Sequence, residues 1–206
     1  FHNTADKASN TTVIGSENTV TNSKNSLVMG DNREVKDANH AVLIGSTDSK
    51  TTTSVNNAVA VGHNTNVTVE GGVALGSESK ATVAAGSVGY DPSTKAQSTN
   101  TDSTWKATKS AVSVGDANNN ITRQITSVAA GTKDTDAVNV AQLKKLQNQV
   151  NATGSTTVSA GKHINVTTTT NGTTKDYKVS LSDDITNQIT NNTTNITKNT
   201  NDIKNI

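Results

Sequence analysis

The sequence predicts a mainly β fold, a solenoid of short stacked strands that gives way to a helical coiled coil. Three observations carry that prediction. A short phrase ending in glycine recurs seven times, as TTVIG, SLVMG, AVLIG, AVAVG, GVALG, TVAAG and AVSVG, closing at Gly15, Gly30, Gly45, Gly62, Gly76, Gly86 and Gly115. Self-similarity of this kind marks a repeat architecture. Isoleucines at 189, 196 and 203 recur every seven residues, the period of a coiled coil. Only 31% of the 206 residues are hydrophobic and 2% aromatic, too little apolar mass for a conventional single-chain core. The apolar residues must therefore sit in thin rungs, or in a core shared by several chains.

In a strand, side chains alternate between faces. The residues three before and one before each glycine then share a face: Thr12/Ile14, Leu27/Met29, Val42/Ile44, Val59/Val61, Val73/Leu75, Val83/Ala85 and Val112/Val114. This reading makes that face the core of the roll. The middle residues point the other way: Val13, Val28, Leu43, Ala60, Ala74 and Ala84 in the first six copies, and Ser113 in the last. The apolar character of the first six implies a second buried face, against a neighbouring subunit or a second layer of the same chain. Glycine suits a turn that needs positive φ. The spacings of 15, 15, 17, 14 and 10 residues leave room for a second strand per repeat, marked by Val20, Val35, Val55, and Val67 with Val69. No six-residue period and no GGxGxD calcium repeat is present.

The (S/A)-V-A-(I/V)-G phrase, closest in AVAVG at 58–62 and GVALG at 72–76, resembles the head repeat of YadA-like trimeric autotransporter adhesins. The resemblance implies a left-handed parallel β-roll head, three of which associate side by side. Residues 1–124 are the expected head. An insertion at about 87–110 carries the only proline, Pro92, and many turn formers. The lone Trp105 reads either as an exposed ligand anchor or as a packing residue that seals the roll; the high mean burial of tryptophan favours the second.

Residues 125–146, ITSVAAGTKDTDAVNVAQLKKL, closely resemble the neck of the same adhesins, whose hallmark DAVNVAQL spans Asp136 to Leu143 here. Asp136 is the expected N-cap. Val140, Leu143 and Leu146, with Val150, follow at helical spacing. The resemblance makes 125–153 a neck that locks three chains together through Val140, Leu143 and Leu146. Residues 154–182 follow as a small β-rich stalk connector, with Asn171-Gly172 as a hairpin signal between HINVTTTT and DYKVSL.

Residues 183–206 are expected to be a trimeric coiled-coil stalk capped by Ser182 or Asp183. Ile189, Ile196 and Ile203 fill position a; Ile185, Asn192, Asn199 and Ile206 fill d. Isoleucine at core positions favours more than two strands. A repeated buried Asn layer demands a purpose. Either Asn192 and Asn199 bond one another or water, or they donate to a central anion. The I-x-x-N-T pattern is similar to stalk layers of this family that hold chloride on the trimer axis.

Much chemistry is excluded. The absence of cysteine removes disulfide scaffolds and cysteine-ligated zinc. His2, His40, His63 and His163 lack partners at metal-ligand spacing. Asp116, Asn118 and Asn120 imitate half of an EF-hand loop, but Ile121 stands where glycine is required and Ser127 where glutamate is. No phosphate loop or G-x-S-x-G is present, so neither a catalytic residue nor an organic cofactor is expected. A net charge of +1 offers no field for nucleic acid. No apolar run spans a bilayer and no signal peptide is visible at Phe1, so the chain reads as an excised piece.

The resemblance implies an adhesin of the bacterial outer membrane and cell surface, a virulence factor anchored through a C-terminal barrel outside this sequence. Its partners would be two further copies of itself and a host protein, such as collagen, fibronectin, laminin or a CEACAM-type receptor. The expected ligand contacts lie in segments between glycines: Asp31, Asn32, Arg33, Asp48, Lys50, His63 and Asn64. A trimeric phage fibre and an ice-binding solenoid are the competing readings. The first predicts a carboxylate cluster, which Asp48, Glu70 and Glu78 do not make evident. The second predicts a T-x-T once per rung, which does not recur.

Overall fold

A computed structural model describes residues 1–153, 156–172 and 174–206, with the side chains of residues 152 and 153 excepted. It divides into two compact units, Phe1–Val138 and Asn139–Ile206.

The first unit is a parallel β-solenoid of short rungs. Its strands are β1 (Thr4–Asp6), β2 (Thr12–Ile14), β3 (Thr19–Thr21), β4 (Leu27–Met29), β5 (Arg33–Lys36), β6 (Val42–Ile44), β7 (Thr51–Thr53), β8 (Val59–Val61), β9 (Asn66–Val67), β10 (Val73–Leu75) and β11 (Lys80–Ala81). Two-residue strands β12 (Tyr90–Asp91) and β13 (Ala96–Gln97) form an antiparallel pair, and β14 (Val112–Ser113) follows. The glycine phrases stack as one six-stranded sheet, in the order β14-β10-β8-β6-β4-β2. The second strands stack as β1-β3-β5-β7, continued by the pair β9-β11. Register is strict: Val13, Val28, Leu43 and Ala60 lie in one row, and Ala5, Val20, Val35 and Thr53 in the facing one.

That register overturns the expected assignment of faces. The middle residues form the core: Val28, Leu43, Ala60 and Ala74 are fully buried, together with Val20, Val35, Val67 and Ala81 of the second strands. The residues flanking them face outward, and Ile14, Met29, Leu75 and Val112 are exposed. Side-chain size explains the inversion. The interior between two sheets of a thin roll admits small residues, and the buried set is valine, alanine and one leucine. The bulkier Met, Ile and Leu are left outside.

The glycines stack as tightly as the strands. A Cβ on Gly15, where φ is +119°, would fall 1.9 Å from the carbonyl oxygen of Gly30 in the next rung. Any other residue there meets both a left-handed backbone and a steric block. Asn supplies many of the other corners, beside Lys7, Glu17, Asp37, His40 and Glu78. Asn10, Asn22, Asn25, Asn32, Asn57 and Asn64 all hold positive φ, a region that Asn tolerates best among residues with a side chain. Other Asn and Ser side chains bond the rung above. Arg33 N donates to Asn18 Oδ1 at 3.0 Å, Lys24 N to Asn39 Oδ1 at 2.9 Å, and Ala38 N to Ser23 Oγ at 3.1 Å. This is how a polar composition builds an ordered roll: corner groups are satisfied by ladders of side chains.

The sixth glycine phrase is not a rung. β10 pairs directly with β14, with Val73 opposite Val112, so TVAAG is skipped. Its segment runs antiparallel to the returning chain: Gly86 N donates to the Ala107 carbonyl at 2.7 Å and Ala111 N to the Val83 carbonyl at 3.0 Å. The second strand of the third repeat is Thr51–Thr53, and Val55 lies beyond it.

The second unit carries helix α1 (Val140–Thr153), a hairpin of β15 (Ile164–Asn171) and β16 (Thr174–Leu181), and helix α2 (Asp183–Lys204). Register pairs Asn171 with Thr174, and Gly172 adopts φ +60°, as a tight hairpin requires. Thr173 of this turn, and Gly154 and Ser155 at the expected start of the connector, lie outside the described residues. α1 begins later than expected. Asn139, not Asp136, caps it: Gln142 N donates to Asn139 Oδ1 at 3.1 Å and Asn139 N to Gln142 Oε1 at 3.2 Å, a reciprocal capping box. The Asp136 carboxylate instead receives the amides of Thr132 and Lys133, which hold its pKa below the ordinary carboxylate value. Ser182 occupies the N-cap position of α2.

Candidate functional site

The two sheets of the roll present opposite chemistries to the outside. Outward positions of the second-strand sheet are Thr19, Thr21, Glu34, Lys36 and Thr52, a polar and charged surface. Outward positions of the six-stranded sheet are Leu27, Met29, Val42, Ile44, Val59, Val61, Val73 and Leu75, none better than half-buried in the single chain. A continuous apolar face of this kind marks a surface to be covered.

The expected ligand residues fall into four settings. Asp31 is built into the rungs. It accepts the amide and hydroxyl of Ser16, each at 2.7 Å, and the Ser46 hydroxyl at 3.0 Å, and these bonds hold its pKa below the usual range. Asn32 Nδ2 donates to the Thr47 carbonyl at 2.9 Å. Asp48, His63 and Asn64 form a second group on the corners that follow the glycines. Asn64 Nδ2 donates to Asp48 Oδ2 at 2.6 Å and His63 Nε2 lies 3.0 Å from Asp48 Oδ1; the amide of Asn64 and the imidazole hold the Asp48 pKa down. Lys50 stands apart and donates to the Thr19 hydroxyl at 2.9 Å.

Arg33 corrects its expectation as a surface contact: it is fully buried. The repeat from Gly45 to Gly62 is two residues longer than the repeats before it, and the Arg33 side chain reaches across its rung. Nε donates to the Gly45 carbonyl at 2.7 Å, Nη1 to the Thr65 carbonyl at 2.6 Å, and Nη2 to the Gly62 carbonyl at 3.0 Å and the Thr65 hydroxyl at 2.9 Å. Burial pushes its pKa down to about 10, which leaves it charged at neutral pH. Its bonds go to carbonyls and a hydroxyl, so it works as an internal brace. The sequence signal was the lengthened repeat itself.

A second brace was not anticipated. Arg123 donates to the carbonyls of Val114 and Ser77, both at 2.6 Å, and closes the last rung. Asp116, 7% exposed, pairs with Lys80 at 3.0 Å and accepts from Asn119 at 2.6 Å, and these partners lower its pKa. The residues that imitate an EF-hand thus form a polar turn, a 3₁₀ helix over Ala117–Asn119. Among the described residues, no group of three or more His, Asp or Glu side chains is placed to hold a metal.

In the second unit the apolar stripes of the two helices lie largely open in the single chain. Val140, Leu143, Leu146 and Val150 of α1 are exposed, as are Ile189, Ile196 and Ile203 of α2; Ile196 is 65% exposed. Asn192 and Asn199 are exposed on α2 at the intervening heptad position. Six threonines of α2 turn their hydroxyls back to the carbonyl four residues earlier, as Thr193 does to Ile189 at 2.8 Å and Thr200 to Ile196 at 2.7 Å. The hydroxyls are satisfied within the helix, so what α2 offers a neighbour is its Ile and Asn stripe.

Parts of the chain are similar to known proteins. Residues 124–166 match the family described as the coiled stalk of trimeric autotransporter adhesin. The autotransporter adhesin BadA of Bartonella henselae is 43% identical over 90 residues, which is 44% of this chain and 3% of that protein. The trimeric autotransporter adhesin AtaA of Acinetobacter sp. (strain Tol 5) is 52% identical over 80 residues, 37% of this chain and 2% of that protein. The chain thus spans no more than a few per cent of the length of these relatives. With a glycine-phrased parallel β-roll, the stalk match over 124–166 and these two relatives, the chain resembles a fragment of the trimeric autotransporter adhesins.

Proposed function

We propose that this chain is part of a homotrimeric bacterial adhesin, displayed at the outer-membrane surface, that binds a host receptor or matrix protein without turnover. The observation that carries the reading is the set of apolar surfaces left open in the single chain. They are the outward face of the six-stranded sheet and the stripes of α1 and α2. Burial of such surfaces is the dominant drive for association. Isoleucine at the core positions of α2 favours more than two strands. Two further copies supply the cover.

In that assembly the polar second-strand sheet and the corners with Asp31, Asn32, Asp48, Lys50, His63 and Asn64 are left for a ligand. Collagen, fibronectin, laminin or a CEACAM-type receptor are the partner classes to test. Three copies of each contact raise avidity without any single strong site. Asn192 and Asn199 would each form a ring of three amides on the axis, suited to a chloride ion by their inward N–H donors.

The test uses the full chain and the Ile196→Asp variant on a panel of immobilised matrix proteins and receptors. Saturable binding by the trimer to a panel member, and its loss on dissociation, supports the reading. Failure to bind any of them argues against it. Soaking crystals with bromide is expected to give on-axis anomalous peaks at the Asn192 and Asn199 layers; their absence sinks the anion proposal.

A further inference from the structure

Of the clefts on the first unit, two differ in whether their polar groups are already used. One, of about 500 Å³, lies at the last rung beside Ser113, Asp116 and Arg123. Its charged groups are spent on the braces already described. The other, of about 470 Å³, lies between the insertion, at Ser87–Gly89 and Ser103–Ala107, and the loop Asp134–Asp136. There, among the described residues, the indole N–H of Trp105, the ammonium of Lys106 and the carboxylate of Asp134 have no hydrogen-bond or ion-pair partner.

The cleft is also held in place. Gly89 N donates to the Trp105 carbonyl at 2.7 Å, Lys106 N to the Asp102 carbonyl at 2.9 Å, and Thr104 N to Asp102 Oδ1 at 2.8 Å. Val88 and Lys106 form a β-bridge. On the other wall, the bonds from Thr132 and Lys133 to the Asp136 carboxylate fix the loop that carries Asp134. Trp105 is half-buried and lines the cleft, so part of the residue stays open. A rigid indole beside an unpaired carboxylate and an unpaired ammonium matches a ligand with one C–H face and a rim of hydroxyls. An apolar side chain seated there would desolvate Asp134 and Lys106 without repayment in hydrogen bonds.

We propose that this cleft binds a saccharide, a pyranose ring stacked on Trp105 with its hydroxyls bonded by Asp134 and Lys106. The inference rests on the adhesin reading and names the ligand class for one of its surfaces, a glycan. The volume accommodates a sugar ring, within the range of small-molecule sites of roughly 300–1,000 Å³.

Trp105 is the only tryptophan, so its fluorescence reports on this cleft alone. The full chain is titrated with methyl glycosides of glucose, galactose, mannose and N-acetylglucosamine at millimolar concentration. At least one is expected to change the emission saturably. Asp134→Asn and Lys106→Gln are each expected to weaken that response roughly tenfold, the loss of one charge-assisted hydrogen bond, with unchanged thermal melting. No response to any glycoside, or an unaltered one in both variants, overturns the proposal. The same proteins are tested for adhesion to host cells. Adhesion without a sugar response overturns the cleft alone. A sugar response without adhesion by any form overturns the adhesin reading and leaves the cleft standing.

Discussion

The β-roll and the helices of this chain solve the same shortage of apolar residues in opposite ways. The roll encloses its own core. Val28, Leu43, Val20 and Val35 are fully buried within one chain, and its polar corners are satisfied by Asn and Ser ladders. The helices enclose nothing: Leu143, Leu146, Ile189 and Ile196 all remain exposed. The difference teaches that one chain contains two kinds of stability. The roll draws on intramolecular stacking and adds an apolar outer face to it. The helices leave their apolar stripes open, and in the trimer proposed above two further copies cover them.

That comparison can be broken at several points. The largest effect is expected at the internal brace. Arg33→Ala strands the carbonyls of Gly45 and Thr65 inside the roll and opens a cavity, at a cost of about 3 kcal/mol or more, read as a loss of denaturant midpoint. Leu43→Ala, at a fully buried core position, is expected to cost about 2–5 kcal/mol by the same measurement. Neither change touches α2, so the stalk stripe stays intact. A roll that melts unchanged in either variant would mean the core is not where the register places it.

The converse substitution is Asn139→Ala, which removes the capping box of α1. It is expected to cost about 1 kcal/mol of helix stability, seen as reduced helical circular dichroism, with the roll unaffected. The smallest change improves the roll. The Thr53 hydroxyl is buried without a hydrogen-bond partner, so Thr53→Val is expected to stabilise by about 1 kcal/mol and raise the melting temperature. Acid supplies a graded probe of the corners. The Asp31 pKa is lowered by Ser16 and Ser46, so its contribution is full above the unfolded carboxylate value of about 3.9 and is lost as pH falls through the lower folded value. Asp31→Asn is expected to flatten the acid end of the stability profile. A profile as steep as that of the unsubstituted chain would remove the ladder from the account.

The glycine phrases were legible because close stacking and positive φ leave no other residue a place at Gly15 or Gly30. The Ile heptads were legible because a seven-residue period has one cause in a polar helix. The faces of the roll were not. Alternation separates two sets of residues but does not say which set points inward, and both sets here are apolar. The size difference between Ala60 or Ala74 and the Met29 and Ile44 of the other set was the available signal. The sixth phrase misled because TVAAG matches the pattern while its backbone bonds run to the returning chain, from Gly86 N to the Ala107 carbonyl and from Ala111 N to the Val83 carbonyl. Asp136 suggested a cap because aspartate caps helices, but the Gln three residues after Asn139 identified the true box. Arg33 was read as surface from its charge, and only the longer rung beside it explains a buried guanidinium. Trp105 gave two readings, and the residue is half-buried.

Sedimentation equilibrium of the full chain at micromolar concentration tests the central claim most directly. If the outward sheet face and the stripes of α1 and α2 are completed by two further copies, the mass is three times 21.3 kDa, and Ile196→Asp with Leu143→Asp lowers it while the β-signal of the roll persists. A single species of 21.3 kDa, folded and unchanged by those substitutions, would contradict the account.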